Sequence, residues 1–484
     1  MSDFLDEYER LSHMTEIPVS DVAEEGHFIP HHPVFKRDSH TTKLRVVFNA
    51  SSKSSTGVSL NDVLLAGPTL QEDLFSIVTP SLPSRFRTHR YVLSADIEKM
   101  YRQVKVHPED GKYQMIVWRR STEDPIKIYI LNTATYGTVP ASFLVVRSLL
   151  QLSEDERRRF PLACRVLLED FYMDDAFTGA SKLDQARELR DELIGLLACG
   201  GFHLRKWCSN EPSLLEPLLD QSLDLHICLS ESETQKTLGI PWHPREDHLI
   251  HVVKSFTEHQ RMTKRTMLSQ VASLFDPLGL VGPVIVKVKI MLQRLWEDKL
   301  DWDESVPVDI ATSWSKYREQ VELLNNFIVP RQVTTENVIN VQLHGFCDAS
   351  ERAYGAVLYL RSTTSSGIHI VRLIFSKTRV APIKKVTLPR LELSAADLLG
   401  KLRGATIKSL RIEIDEEFFW SDSTIALHWI QTSPHKLKTF VANRVSHIQE
   451  NTQHGKWRHV PSQDNPADAL SRGQFSREFV NNPI

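Results

Sequence analysis

Residues 171–176 read FYMDDA, and the preceding RVLLEDF is an apolar run, so Asp174 and Asp175 fall where a β-strand meets a turn. Two adjacent carboxylates on a tight turn repel each other. That is costly unless a cation offsets it, and hard oxygen ligands suit Mg²⁺. Upstream, LSADIEKMYRQV (93–104) places Asp96 at the end of another strand. Strand ends converge in a sheet, so Asp96 with Asp174 and Asp175 can hold two metals about 4 Å apart. Each piece alone also has a plainer reading. An Asp-Asp pair is usually a solvated turn, and Asp96 equally suits the N-cap of a helix over IEKMYRQV.

At 484 residues the chain exceeds one ordinary domain, and roughly 150 residues per domain implies about three units. A hydrophobic fraction of 41% with 25% charged residues excludes disorder as the general state. No stretch approaches the roughly 18 consecutive apolar residues of a membrane span. The start, MSDFLDEYERLSHM, has neither a basic region nor an apolar core, so an intracellular, non-secreted protein without a membrane partner is expected. Cys164, Cys199, Cys208, Cys228 and Cys347 are odd in number and form no CxxC pair, which suggests neither a disulfide framework nor a structural zinc.

The net charge of −3 alone argues against a nucleic-acid binder. Cations nevertheless cluster locally: Lys36, Arg37, Lys43 and Arg45; Arg85, Arg87 and Arg90; Arg157 to Arg159; Lys264 and Arg265; Lys384, Lys385 and Arg390. Basic patches offset by acidic sites give this total, and so does a solvated mixed surface.

Residues 1–245 alternate β-rich and helical runs. Strands are predicted over 91–95, 113–118 and 126–131, and a helix over 183–197 with Ser181 as N-cap and Asp184 in the first turn. Residues 246–340 read as mainly helical, anchored by Trp296, Trp302 and Trp314, with FDPLGLVGP (275–283) as a break between helices. A third unit, 341–473, reads as three strands, a helix near 391–408, a strand near 418–420 and a helix from Thr424, with a tail at 474–484. The expected class is α/β (α+β).

This third unit carries its own carboxylates: Asp348 in FCDAS, Glu392 in LPRLEL, Asp422 in WSDST and Asp468 in NPADALSR. A strand-borne Asp, a helix-borne Glu, an Asp ending the next strand and a late Asp are the pieces of a ribonuclease H fold, which drives water onto a phosphodiester with two metals. Each alone has an ordinary alternative. Asp422 and Ser423 suit a helix cap, Glu392 beside Arg390 a surface ion pair, and Asp468 a helix N-terminal charge.

Tyr-Met-Asp-Asp in an apolar hairpin, after a strand ending in an Asp with an aromatic five positions later, resembles the palm of reverse transcriptases. The resemblance implies a right-hand polymerase with fingers and palm, a helical thumb or connection, then a ribonuclease H-like domain. Asp96, Asp174 and Asp175 would be its metal-binding carboxylates, and Tyr101 would exclude the ribose 2′-hydroxyl of an incoming nucleotide. KLRVVFNAS (43–51) resembles a fingers strand whose Arg45 contacts the triphosphate, with Lys36 upstream. TYGTVPASF (135–143) resembles the segment beneath the nascent base pair, with Gly137 allowing close backbone approach. Lys206 in GGFHLRKW matches a lysine near the triphosphate, and LGIPW (238–242) resembles a primer-holding hairpin.

More closely, PHHPVFK, TTKLRVVFNASSKSS, LNDVLLAGPTLQEDLFSI, ADIEKMYRQV and FDPLGLVGPV resemble the BEL/Pao class of LTR retrotransposons. Membership of that class implies a Mg²⁺-dependent RNA-directed DNA polymerase with ribonuclease H activity, two metals at each site and Mn²⁺ as a substitute. Its partners would be an RNA template, a DNA primer, deoxynucleoside triphosphates and an RNA–DNA hybrid, in a cytoplasmic virus-like particle or the nucleus. The Asp-Thr-Gly or Asp-Ser-Gly of an aspartic protease and the zinc cluster of an integrase do not occur, and no nucleophile or paired Asp in FDPLGLVGP supports proteolysis. A family ribonuclease H histidine would come after the strand near the last Asp. His459 lies within WRHVP instead and is assigned no proton-transfer role. The competing reading is a catalytically silent or truncated relic that at most binds nucleic acid, which altered carboxylates would have favoured.

Overall fold

The computed structural model describes residues 1–35, 44–71, 85–219, 235–237, 240–256, 261–410 and 412–482. Lys36, Arg37, Lys43 and Cys228 lie outside them.

After a first helix, Ser2–Arg10, come β1 (Met14–Ile17), β2 (His31–Phe35) and β3 (Leu44–Phe48), then β4 (Tyr91–Ile97). It returns as β5 (Met115–Trp118) and β6 (Lys127–Leu131), so that β1-β6-β5 form one small sheet beside the β2–β3 hairpin. Their shared core holds Tyr8, Val46, Phe48, Ile116 and Leu131. The helices Ala141–Asp155 and Pro161–Glu169 lead into β7 (Phe171–Tyr172) and β8 (Asp175–Ala180), and Leu183–Cys199 leads into β9 (Leu204–Ser209). The resulting sheet has the order β7-β8-β4-β9, all antiparallel, with helices packed on one face through Val145, Leu149, Leu193 and Leu197.

The helix 183–199 starts without a side-chain cap. Its N-cap is Lys182, so the expected role of Ser181 is not taken, while Asp184 does sit in the first turn and complements the helix dipole. Cys208, buried on β9, is disulfide-bonded, contrary to the expectation from cysteine spacing.

A second four-stranded sheet, β10 (Gln235–Thr237), β11 (Ile240–His243), β12 (His248–Leu249) and β13 (Val329–Pro330), runs across the expected limit at 245. Between its last two strands lie the helices Lys264–Val271, Gly282–Glu297 and Val308–Gln320 around Met267, Val288, Leu295, Trp314 and Tyr317. Trp314 is an anchor, at 2% exposure, but Trp296 and Trp302 are 50% and 40% exposed. These two stack edge to face at 5.3 Å and cover the buried Lys264, whose Nζ lies 4.0 Å from the Trp296 ring. Their apolar surface thus serves a cation–π contact rather than a core.

The third unit is built on β14 (Val338–Ala349), β15 (Ala353–Thr364), β16 (His369–Val380), β17 (Glu416–Ser421) and β18 (Lys456–His459) in the order β16-β15-β14-β17-β18. The first three strands pair antiparallel, whereas β14–β17 and β17–β18 are parallel, joined by the helix Leu388–Leu410 and by Thr424–Gln431 with Thr439–Asn451. This is the ribonuclease H arrangement. Alternation explains the burial: Leu343, Gly345 and Cys347 face the long helix, whose Leu391, Ala395, Leu398, Leu399 and Leu402 recur at helical spacing.

FDPLGLVGP forms the turn that enters the helix 282–297. Asp276 accepts from the amides of Leu280 and Val281 at 2.7 and 2.8 Å, and Leu278 accepts from the Ser376 amide on β16 at 3.0 Å. Gly279 has φ +70, and a Cβ there would lie 1.9 Å from the Ser376 carbonyl oxygen. Gly279→Ala is therefore expected to cost about 2 kcal/mol or more, read as a lowered thermal midpoint. A midpoint unchanged from the parent would remove close packing as the reason for this glycine.

Candidate active sites

The register of β4 on β8 sets Asp96 directly opposite Asp175, and the Ile97 amide donates to the Asp174 carbonyl at 2.8 Å. Between Tyr172 and Asp174 the turn passes through Met173 at φ +54, a left-handed conformation that brings both aspartates round to β4. Gln71 brackets this turn. Its Oε1 accepts from the Met173 amide at 3.1 Å and its Nε2 donates to the Phe171 carbonyl at 3.4 Å. A long-range contact of this kind leaves no periodic signal in sequence, and Gln71 is a residue that sequence reasoning misses.

Two cations bracket Asp96. Arg205 Nε donates to Oδ1 at 2.9 Å and Lys206 Nζ to Oδ2 at 2.5 Å, so both oxygens of Asp96 are engaged. Lys206 itself takes φ +53 on β9. The other two carboxyls are pushed up: Asp174 by burial and then by the charge of Asp96, and Asp175, by burial and then by Asp174 and Asp96, to about 7. Among the described residues the three palm aspartates do not gather as one tight trio of ligand atoms. The internal cations supply part of the counter-charge that the sequence assigned to metal.

Around this set, the Tyr101 hydroxyl lies 3.0 Å from Ser142 Oγ, its ring meets Tyr136 edge on at 6.3 Å, and the charge of Asp174 is felt at its hydroxyl. The Tyr136 hydroxyl donates to the Val46 carbonyl at 2.9 Å and senses Arg45, which is exposed on β3. Gly137, at φ +101, approaches backbone closely: a Cβ would lie 2.1 Å from the Phe48 carbonyl oxygen. Its conformation serves the joint between β3 and the segment 135–143, which Asn61 also clamps through the Gly137 carbonyl and the Val139 amide. Tyr101 reaches Tyr136 and through it β3, which carries Arg45, whereas Lys206 stands on β9 against Asp96. Lys36 lies outside the described residues.

The cations Arg85, Arg87 and Arg90 are each engaged within the chain. Arg85 meets Asp170 at 3.5 Å, Arg90 pairs with Glu336, and Arg87 is 1% exposed. Lys264 and Arg265 are also engaged, with the Leu300 carbonyl and Asp303 respectively.

In the third unit the carboxylates converge. Asp348 near the end of β14 and Asp422 directly after β17 stand at the C-terminal ends of adjacent parallel strands, and Glu392 reaches them from the helix 388–410. One oxygen from each lies within 4.8 Å of the others. Asp348 is gripped by the Ser471 hydroxyl, Asp422 accepts from Ser462 Oγ at 2.5 Å, and Asn465 Nδ2 donates to the Cys347 carbonyl at 3.1 Å. These three residues tie the late loop to the strand ends. Asp468 opens the helix Asp468–Arg472, pairs with Arg472, and acts on Asp348 through its charge. Ser423, not Asp422, caps the next helix, its side chain accepting from the Ala426 amide. His459 ends β18, paired with Ser421.

The set fits a divalent cation. Glu392 Oε2 and Asp422 Oδ1 are buried without a hydrogen-bond partner, which is costly for oxygens that carry charge unless a cation completes them. Burial, reinforced by the neighbouring Asp422, pushes Asp348 to about 7, and burial with Asp348 and Asp422 pushes Glu392 to about 9.

A polymerase-like palm joined to a ribonuclease H-like domain is the class that these two sheets define. Two solved structures of a foamy viral protease-reverse transcriptase share the fold. One, in complex with double-stranded DNA, has 12% identity and a TM-score of 0.56, with 96% of this chain and 69% of that chain covered. The other, in complex with an RNA/DNA hybrid, has 12% identity and a TM-score of 0.55, with 97% and 54% covered. The chain thus spans little more than half of the second. Residues 263–423 match the family model "Pao retrotransposon-like RNaseH-like domain", so that stretch is similar to the ribonuclease H-like part of Pao retrotransposons. No curated protein matches.

The raised carboxyls have a thermodynamic consequence. Folding lifts the pKa of Glu392 and Asp348, so the native state holds more protons than the unfolded chain between their ordinary values and about 9 and 7. Stability they contribute at acid pH is therefore lost as pH rises through that window. In chelator, the thermal midpoint should fall from pH 5 to pH 9, and Glu392→Gln should flatten the fall and raise the midpoint at pH 8. Identical pH profiles for parent and variant would contradict burial of this carboxyl.

Proposed function

We propose that this chain is an RNA-directed DNA polymerase with ribonuclease H activity. The observation that carries the reading is the presence of two separate carboxylate sets, each at strand ends of its own sheet: Asp96, Asp174 and Asp175 in the palm, and Asp348, Glu392 and Asp422 in the third unit. Asp468 stands beside the second set.

The residues of each set would hold Mg²⁺, with Mn²⁺ as a substitute, and the bound ions supply Lewis-acid stabilisation of phosphate charge and a more acidic oxygen nucleophile. The substrates that suit this chemistry are deoxynucleoside triphosphates with a primed RNA or DNA template at the palm, and an RNA–DNA hybrid at the second set. That the foamy viral proteins were captured with DNA and with a hybrid supports these classes.

The chain's own groups divide the work. Arg205 and Lys206 hold Asp96 in place, and Lys206 offers a cation beside the carboxylates where triphosphate oxygens would lie. Arg45 offers a further exposed cation from β3. Tyr101, packed against Ser142 and Tyr136, presents a fixed ring beside Asp174, where an extra 2′-hydroxyl on the sugar would collide. At the second set Ser471, Ser462 and Asn465 hold the carboxylates and the strand end in a fixed arrangement, which limits reorganisation during attack on the phosphodiester.

With purified protein and Mg²⁺, Asp174→Asn should lower primer extension on RNA by on the order of a hundredfold or more and spare hybrid cleavage. Glu392→Gln should do the reverse. Extension retained by Asp174→Asn would refute the palm assignment, and the absence of both activities from folded parent protein would favour a silent relic. Separately, Tyr101→Ala should admit ribonucleoside triphosphates in the same assay, and unchanged sugar selection would remove its steric role.

A further inference from the structure

The outer edge of β16 is where the palm, the helical segment and the third unit meet. β16 is an edge strand of its sheet, and such an edge leaves backbone groups without ladder partners. Opposite Leu358 and Tyr359 the register jumps from Phe375 to Leu373, so Ile374 is the extra residue of a bulge and its backbone is free to bond elsewhere.

Arg87 takes that freedom. Its Nη1 donates to the Ile374 carbonyl at 2.8 Å and its Nη2 to the Leu373 carbonyl at 2.7 Å, while Nε and Nη2 donate to the Arg331 and Pro330 carbonyls at 3.0 and 3.3 Å. The side chain is 1% exposed. Its partners are backbone carbonyls throughout, so the planar guanidinium fixes orientation as much as it offsets charge. Arg87 lies just before β4, the strand that ends at Asp96, and β16 leads through β15 to β14, which carries Asp348. One side chain therefore links the backbones on which both carboxylate sets are built.

A second tie reaches the same edge from the helical segment. The Ser376 amide donates to the Leu278 carbonyl at 3.0 Å and its Oγ to the Gly279 carbonyl at 2.5 Å. The two ties converge within residues 373–376 and leave the third unit little freedom to rotate against the palm.

We propose that Arg87 and Ser376 are positioning residues that set how far from the primer terminus the RNA strand is cut. The proposal rests on the two activities read above. It concerns neither catalytic set directly. What it adds is that the spacing between them is fixed by two side chains clasping backbone carbonyls at one bulged edge strand, so loosening the clasp scatters the cut without removing either chemistry.

The test uses the full chain, a DNA primer on an end-labelled RNA template, and extension halted at a defined position by withholding one deoxynucleotide. The distance from the halted terminus to each RNA cut is then measured. The parent should give one dominant distance. In Arg87→Lys, whose ammonium cannot serve four carbonyls in a plane, and in Ser376→Ala, the dominant product should fall below half its parental share as neighbouring cuts rise. Extension rate and total cleavage of a preformed hybrid should stay at parental level. If Arg87→Lys does not fold, Ser376→Ala carries the same expectation. A parental cut distribution in a folded variant overturns the proposal, even where the melting point or both rates drop, since that pattern belongs to a merely structural contact. A parent that extends and cleaves with no preferred distance also overturns it. A parent that lacks one of the two activities instead defeats the reading on which the proposal rests.

Discussion

Two buried arginines hold this molecule together. Arg331, fully buried, grips Asp247 through Nε and Nη2 and donates to the Phe86 and Arg90 carbonyls, while Arg87 spends its donors on the carbonyls of residues 330, 331, 373 and 374. Asp247 is shared further, accepting from Trp242 Nε1 at 3.0 Å. Burying guanidinium groups is expensive unless their donors are met, and here Asp247 and backbone carbonyls meet them. Around it the edge-to-face rings of Phe86, Phe177 and Trp242 close a core that runs from the underside of the palm to the sheet of the third unit.

The carboxylates depend on this frame. Like-charged groups facing each other, such as Asp96 and Asp175, are held in register by the pairing of β4 with β8, and burial raises the pKa of Asp174 and Asp175. Palm and third unit solve the same problem differently. In the palm, Arg205 and Lys206 neutralise one member internally. In the third unit serine hydroxyls fix two carboxylates but leave Glu392 Oε2 and Asp422 Oδ1 unmet, which makes that set the one already shaped for a cation.

Much of this is readable from residues in order. Asp-Asp after an apolar run marks the β7–β8 turn, and the succession of strands and helices after 340 marks the third unit, because both signals are local periodicities. The features that escape are non-local. Arg85, Arg87 and Arg90 read equally as a basic patch or as a solvated surface, since nothing in a sequence says that a bulge across the fold will offer carbonyls to Arg87. Trp296 and Trp302 read as core anchors because size suggests burial, yet they lie on the surface over Lys264. Gln71, Ser462 and Ser471 act over long separations, and although Gln71 and Ser471 lie within motif strings, the order of residues does not show which distant group each one bonds.

The covered edge of β16 bears on how such a chain can be inherited. A sheet whose boundary strand is finished by residues 276–279 of another segment is not a free-standing cassette. Cut away at 338, it would expose ladder groups that invite pairing with any strand at hand. The stretch that recurs as a recognisable family unit starts at 263, ahead of that loop, and carries the finishing piece along with the first four strands. Recombination that preserved a well-folded product would have had to move loop and sheet together.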